Sequence, residues 1–324
     1  MEFAFTDEQR EFQAAVRDLL AKECPPEAVR AAWSSDDGRV PGLWSQLAAM
    51  GVVGLTAPEA AGGLGMDDVD LVLLLEEVGR VALPEPVVEH TAVALRALPD
   101  EHIAAATAGE LTVTAALDGV TLVPFAASAD LLLLERDGGL HLVARDAVRL
   151  TPRPSVDGAR RVSEVEWSPS PSTRLATGDA ALAFDRGALG TAAVLLGLAD
   201  RMIAMTVEHV KHREQFGVPI GSFQAVKHHL ANARLELEFA RPVTYRAAHS
   251  VASDDPERAV HVSIAKAFAG DAAYRASRAA LQCHGAIGYS YEYDLHLWMK
   301  RAWVLGTAWG DAAWHRARVG RAIL

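Results

Sequence analysis

The 324-residue sequence has little of what marks several common protein classes. Its two cysteines, Cys24 and Cys283, lie far apart, which excludes a disulfide framework and a cysteine-rich zinc site. Basic residues are outnumbered, 31 against 42 acidic, and the formal charge of −11 argues against nucleic acid or an anionic membrane as main partner. No apolar run approaches the roughly 20 residues of a membrane span, and the acidic N-terminus is unlike a signal peptide. We therefore expect a cytoplasmic protein that does not bind membranes.

Hydrophobic residues make up 50% of the chain, enough for a large core, and their spacing divides it into three parts. Residues 1–108 have mainly helical periodicity. Residues 109–184 contain short runs rich in Val, Leu and Thr and predict a small β domain. Residues 185–324 predict four long helices in a bundle. The predicted fold class is therefore mainly α with a small middle β domain.

Single elements can also be placed. Thr6 and Gln9 fit a capping box at the start of the first helix. Turn residues predict hairpins at Asp118-Gly119 and at Asp137-Gly138-Gly139. Further predicted elements are a helix over Asp67–Val81, a strand over Leu175–Ala183, and the bundle helices Gly187–Arg213, Phe223–Ser250, Pro256–Cys283 and Asp294–Leu324.

The most specific string in the sequence runs from Arg213 to His228 (REQFGVPIGSFQAVKH). It predicts a helix that ends in a turn rich in Gly and Pro, followed by a second helix. An arginine and two glutamines beside such a turn are able to hold a phosphate. The same pattern is also typical of an ordinary corner between two helices, and spacing alone leaves both interpretations open.

A second string, Gln282 to Tyr289 (QCHGAIGY), contains two glycines at the junction of two predicted helices. Glycines at such a junction allow the backbone to approach another group closely. A plain loop between helices has the same composition, so this motif is also ambiguous when taken alone.

Together with three further motifs, these strings make the chain resemble the acyl-CoA dehydrogenase family over essentially its whole length. The five motifs, in the family's order, are Thr6-x-Glu8-Gln9-x-x-Phe12, the loop Pro58–Gly65, the acidic pair Glu76-Glu77 before Gly79, Arg213–His228 and Gln282–Tyr289. The resemblance implies an N-terminal helical domain, a middle β domain, a C-terminal four-helix bundle and a tetramer that pairs bundles. It also implies FAD and the α,β-dehydrogenation of an acyl-CoA thioester, in which a carboxylate removes the α proton.

The resemblance assigns cofactor contacts to two of the motifs. In the family these segments hold the adenosine–pyrophosphate half of an FAD whose flavin ring lies in the neighbouring subunit. Arg213 then pairs with phosphate, and Phe216 packs on the cofactor. The implied FAD-binding residues are Arg213, Gln215, Phe216, Gln224, Gln282 and Gly285.

The catalytic base of the family is not matched. Counting from Gln282, the position of the family's glutamate falls on Trp309, whose side chain cannot accept the α proton. Asp311 stands where the family has a flavin-binding threonine, and its carboxylate would oppose a pyrophosphate. Another branch of the family places its glutamate on the first bundle helix, but that position falls near Gly187. Asp185 fits only with a two-residue shift, so no residue is assigned as the catalytic base, and Asp185 and Asp311 are the alternatives.

The middle region departs from the family as well. Its flavin-cradling segments are missing between Glu110 and Ala183, and the chain is several dozen residues shorter than usual. This combination resembles the degenerate subunit of the α2β2 acyl-CoA dehydrogenases that act on steroid side-chain CoA thioesters. The resemblance implies a full-length partner that carries the base and binds most of the acyl-CoA, with FAD at the interface between unlike subunits.

Two other functional classes remain open from the sequence. One is a self-sufficient homo-oligomeric dehydrogenase with a displaced aspartate base, and the other is a flavin-free scaffold protein of the same fold. A metal enzyme is not indicated, because the 12 histidines include no ligand set at metal-binding spacing.

Overall fold

The structure, a computed structural model, describes residues 4–324. Residues 4–108 form helices around an apolar core. Thr6 and Gln9 make the expected capping box, with the Gln9 backbone N–H donating to Thr6 Oγ1. The helices are α1 (Asp7–Glu23), α2 (Pro26–Ser34), α3 (Leu43–Ala49), α4 (Asp68–Arg80), a π-helical segment (Val88–Ala94) and α5 (Asp100–Thr107).

The middle region folds into two three-stranded sheets. In the first, β3 lies between a parallel β1 and an antiparallel β4. In the second, β6 lies between antiparallel neighbours β2 and β5. The strands are β1 (Val113–Ala116), β2 (Leu122–Pro124), β3 (Leu131–Arg136), β4 (Gly139–Ala144), β5 (Arg149–Arg153) and β6 (Val162–Glu166).

The two predicted hairpins have different outcomes. Asp137 and Gly138, with φ of 51° and 70°, join the antiparallel strands β3 and β4, as expected for a two-residue hairpin loop. Asp118 and Gly119 have similar angles, 59° and 70°, but the hairpin predicted there is wrong. The strands that flank this turn, β1 and β2, enter different sheets, because turn residues set local backbone angles and not the partner of the strand that follows.

The C-terminal region consists of long helices, with two corrections to the prediction. The first helix begins at Ala180, capped by Asp179, so the strand predicted over Leu175–Ala183 is wrong. The fourth predicted helix is two helices, because Trp309 and Gly310 have φ of 55° and 84°, which no α-helix accommodates. The helices are α6 (Ala180–His212), α7 (Gln224–Ala252), α8 (Arg258–His284), α9 (Leu295–Thr307) and α10 (Ala312–Ile323).

Helix α6 is the centre of the molecule. It packs against α4, α7, α8 and α9, and its apolar side chains belong to the main hydrophobic core. By length and composition it is the one helix of the described chain able to cross a membrane, and 83% of its most apolar window is buried inside the protein. Burial of this kind explains its hydropathy as that of a core helix.

Helices α4 and α6 cross with their backbones in contact. A Cβ on Gly79 would overlap the carbonyl oxygen of Val194, and a Cβ on Gly197 would overlap that of Glu76. Only glycine fits at both positions, so the crossing fixes the first helical region directly on the C-terminal helices.

The β region is joined to α9 by a buried ion pair. Arg301 on α9 pairs with Asp157 in the loop before β6 and donates a hydrogen bond to the carbonyl of Leu83, 2.6 Å away. Both charged side chains are almost fully buried, so their mutual pairing is necessary for stability.

Candidate functional site

The Arg213–His228 motif forms an exposed hairpin between α6 and α7. Its two short strands are β7 (Glu214–Gln215) and β8 (Val218–Pro219). Phe216 lies at the tip with φ of 55° and is 93% exposed. A phenylalanine held in a left-handed conformation in solvent is costly in an isolated chain and indicates a surface that another molecule covers.

The polar residues of this hairpin are free to bind a ligand. Arg213 is the C-cap of α6, is exposed and forms no side-chain hydrogen bond within residues 4–324. The Gln215 amide makes one local bond, to the carbonyl of Glu214 at 2.8 Å. Gln224 begins α7 and is exposed. The guanidinium and amide groups that the family resemblance assigns to FAD therefore face outward.

The second motif lies at the C-terminal end of α8. Gln282 is exposed and lines a pocket of about 310 Å³ with His229 from α7 and with Arg275 and Arg278 from α8. Gly285 has φ of 64°, and a Cβ placed on it would meet no atom within 4 Å. This backbone is thus open for close approach by a ligand or a partner chain.

Two histidines bring the motifs to the same end of the helices. His209, one turn before Arg213, stacks on His284, which follows Gln282 closely, with ring centroids 4.2 Å apart. Burial lowers the pKa of both imidazoles, which favours the neutral rings that can stack.

The ends of α6 and α8 and the start of α7 therefore present one surface, with exposed arginines, glutamines and an aromatic ring. The donors on it suit phosphate oxygens, and the ring suits the apolar face of a nucleotide, so these residues fit FAD's adenosine–pyrophosphate half.

The position that the family resemblance implies for the base is filled by a packed side chain. Trp309 lies in the turn between α9 and α10 and packs edge-on against Phe184 of α6. It also contacts Gly187, near which the family resemblance implies the glutamate of the second branch. Within the described residues, neither position carries a group that can accept a proton.

The two alternative bases are both engaged in the structure. Asp185 is buried between the guanidinium groups of Arg318, at 2.5 Å, and Arg258, at 3.8 Å. Burial raises its pKa, and the two arginines oppose that effect. Asp311 is exposed and caps α10 by accepting a hydrogen bond from the Trp314 backbone N–H at 2.7 Å. Each carboxylate thus has a structural partner.

A buried polar cluster that the sequence analysis missed holds the Trp309 turn in place. The Lys266 ammonium donates hydrogen bonds to the carbonyls of Gly306, at 3.0 Å, and Gly310, at 2.9 Å. Burial lowers its pKa to about 7. His315 contacts the Trp309 carbonyl through Nε2 at 2.8 Å, and burial lowers its pKa to about 4. The available signal was a lysine inside the apolar run Ile264–Phe268.

Within residues 4–324, no group of three or more His, Cys, Asp or Glu side chains is arranged to hold an ion.

Comparison with protein-family models gives two matches. Residues 6–98 match the acyl-CoA dehydrogenase N-terminal domain, and residues 178–324 match the acyl-CoA dehydrogenase C-terminal domain. Among curated proteins, the chain is similar to the acyl-CoA dehydrogenase IpdE2 of Mycobacterium tuberculosis. The two are 32% identical over 301 residues, which cover 91% of each chain.

Solved structures of two complexes contain chains of similar fold. One is the ChsE4-ChsE5 complex from Mycobacterium tuberculosis, with a TM-score of 0.92 and 26% identity over 100% of this chain and 99% of that one. The other is the Tcur3481-Tcur3483 steroid ACAD, with a TM-score of 0.90 and 26% identity over 98% of both chains.

Proposed function

The chain belongs to the acyl-CoA dehydrogenase family, and we propose that it serves there as the non-catalytic subunit of a heteromeric enzyme. One observation carries this proposal: Arg213, Phe216 and Gln282 are exposed at one end of the helices, while Trp309, at the position that the resemblance implies for the base, packs against Gly187, near the alternative position. A subunit with these properties supplies cofactor contacts to a neighbour and does not deprotonate a substrate of its own.

In this proposal the chain holds the adenosine–pyrophosphate half of an FAD whose flavin ring lies in the partner. Bound FAD supplies the electron acceptor for dehydrogenation. Arg213 donates charge-assisted hydrogen bonds to phosphate, and Gln215, Gln224 and Gln282 add neutral donors. Phe216 packs on the cofactor, which explains its full exposure in the isolated chain. Gly285 has no side chain, so the backbone at the end of α8 can approach the cofactor closely.

The partner in this proposal is a full-length acyl-CoA dehydrogenase chain in an α2β2 assembly in the cytoplasm. It carries the carboxylate base and most of the acyl-CoA site. The two similar structures support this, because each is named for two different chains. Exposed Leu235 and Phe239 on α7 and Phe268 on α8 are apolar surface that a subunit interface would bury.

The substrate we propose is the CoA thioester of a bulky acyl group, such as a steroid side chain. One similar complex is named a steroid ACAD, which supports this class. A subunit without a working site of its own does not need to close around a second substrate, which leaves room for a polycyclic acyl group at the interface.

The test is the mass and the flavin-to-protein ratio of the tagged chain purified from its own cells. We expect a copurifying, larger acyl-CoA dehydrogenase and about one FAD per unlike pair of chains. A homotetramer with one FAD per chain would contradict the proposal and favour a self-sufficient enzyme. A flavin-free assembly would favour a scaffold protein.

A further inference from the structure

His209 lies beside Arg213 at the end of α6, and it is not among the cofactor contacts that the family resemblance implies. The two residues are four positions apart, so their side chains share one face of the helix. The His209 ring is half-buried, and neither of its nitrogens forms a hydrogen bond within residues 4–324. An imidazole with a free nitrogen next to a phosphate-binding arginine is able to interact with the same phosphates.

The ring of His284 covers one face of the His209 ring. The ring planes are 25° apart, and their centroids are 4.2 Å apart. His284 Nδ1 contacts the carbonyl oxygen of Ala280 at 2.7 Å, and since a carbonyl only accepts, this nitrogen carries the proton. A second proton, on the buried Nε2, would have no acceptor within the described residues. We therefore assign a neutral ring to His284, whose pKa burial lowers.

The groups around His209 within the described chain disfavour its protonation. Burial lowers the His209 pKa, and the positive charge of Arg213 lowers it further. The rings packed on it, the neutral His284 and the phenol of Tyr293, whose pKa burial raises, bring no charge. Glu208, the preceding residue on α6, is exposed and is bonded to a lysine, so it does not pair with His209. The free chain therefore favours a neutral His209.

A phosphate on Arg213 would reverse this balance. The pyrophosphate of FAD carries two negative charges, which neutralise the guanidinium and place negative charge near His209. Both effects favour the imidazolium form of His209. The face of the neutral His284 ring can then support that cation, because aromatic ring faces attract cations that lie over them.

We propose that His209 is a further residue of the FAD half-site and that it takes up one proton from solvent when the pyrophosphate binds Arg213. The proton binds a ring nitrogen of His209, His284 stays neutral, and no covalent bond to the cofactor forms. Because the bound state favours the protonated ring more than the free state does, FAD binds more tightly as the pH falls through neutrality. This inference rests on the proposed function and adds a proton-linked contact to it.

Titration calorimetry measures this proton directly. The enzyme complex, stripped of FAD, is titrated with FAD at pH 7 in phosphate and in Tris, two buffers with different ionisation enthalpies. The difference between the measured heats gives the number of protons taken up. We expect uptake of up to one proton per FAD, and an affinity that rises by about tenfold from pH 8 to pH 6.

Substitutions of His209 separate its charge from its packing. His209→Phe keeps a ring on His284, and His209→Gln keeps a polar side chain, but neither side chain can take up a proton. Both variants should abolish the uptake and hold FAD affinity, at every pH, near the value of the unmodified complex at pH 8. The matched control is His212→Gln on the same turn of α6. The His212 side chain is 82% exposed and lies near Glu208, so this variant should keep the uptake.

The outcomes separate this inference from the proposed function. FAD binding without proton uptake, or uptake that persists in both His209 variants, would overturn the role of His209 and leave the half-site at Arg213 intact. Loss of uptake in His212→Gln alone would assign the proton to that residue and overturn the inference as well. A complex that binds no FAD would refute the proposed function and this inference together.

Discussion

The indole of Trp309 packs directly on the α-carbon of Gly187. A Cβ placed on Gly187 would stand 2.5 Å from ring atoms Cδ2 and Cε3 of the tryptophan. Any side chain at position 187 therefore collides with the indole at 309. Position 187, near which the family resemblance implies the base of one branch, therefore cannot carry a glutamate while Trp309 stays in place.

This contact predicts the effect of adding one methyl group. Gly187→Ala should lower the free energy of unfolding by about 1 to 3 kcal/mol, because it overpacks a filled site. The change should be much smaller in a Trp309→Ala background, which a double-mutant cycle by urea unfolding measures. Gly270→Ala on α8 is the control: its Cβ meets nothing within 4 Å, and it should be neutral or stabilising. Equal losses in both backgrounds would refute the contact.

Arg213→Ala should lower the FAD content of the purified complex without altering its helical circular dichroism. The reason is that this side chain has no partner within the described chain and faces outward. We expect FAD affinity to fall by about tenfold or more, the typical effect of losing a hydrogen bond to a charged group. Arg149→Ala, on the exposed β5 strand, should keep full occupancy. The composite FAD site is contradicted by normal flavin content in the Arg213 variant.

Neither aspartate near the Trp309 turn should act as a base. In the assembled enzyme, Asp185→Asn and Asp311→Asn should keep turnover within about twofold, compared with the loss of about 10² to 10⁴ expected for a general base. Asparagine also caps helices well, so α10 should remain stable in the second variant. Turnover is measured with an artificial electron acceptor at saturating acyl-CoA. A loss of two orders of magnitude in either variant would identify a displaced base.

Lys266 should make stability depend on pH above neutrality. Burial lowers its pKa from 10.5 to about 7, so between these values the unfolded chain binds a proton that the folded chain does not. The free energy of unfolding should therefore rise with pH in this window, by up to about 1.4 kcal/mol per pH unit from this group. Urea unfolding at pH 7, 8 and 9 should show a steeper rise for the unmodified chain than for Lys266→Met. Lys211→Met, at an exposed site, should follow the unmodified chain, and parallel curves for all three would disprove the role of Lys266.

The helices were predictable from sequence because their signals are local. The capping box at Thr6 and Gln9 and the apolar spacing of α4 each lie within a few residues. Strand pairing was less predictable. Val113 of β1 pairs with Leu131 of β3, and residues so far apart in sequence are not brought together by any single turn. The break at Trp309 was missed for a similar reason, since its positive φ is held by Lys266 from another helix.

The candidate site, like the fold, was predictable only where its signals are local in sequence. The family motifs named Arg213, Phe216 and Gln282, and the structure shows these residues exposed at one end of the helices. Their role in binding FAD stays a prediction until it is tested. Sequence spacing did not reveal the role of Lys266, because its hydrogen bonds to the carbonyls of Gly306 and Gly310 form only after α8 packs on the turn that follows α9.

The close crossing of α4 and α6 at Gly79 and Gly197 fixes the direction in which α6 leaves the core. Sixteen residues of helix separate Gly197 from Arg213, a lever arm of about 24 Å at 1.5 Å per residue. A tilt of about one degree at the crossing would move the end of this arm by about 0.4 Å, comparable to the tolerance of a hydrogen bond. The accuracy with which Arg213 is presented to a neighbouring subunit is therefore set by two glycines in the middle of the protein. Bulkier residues there would misalign the distant end of α6 without touching it.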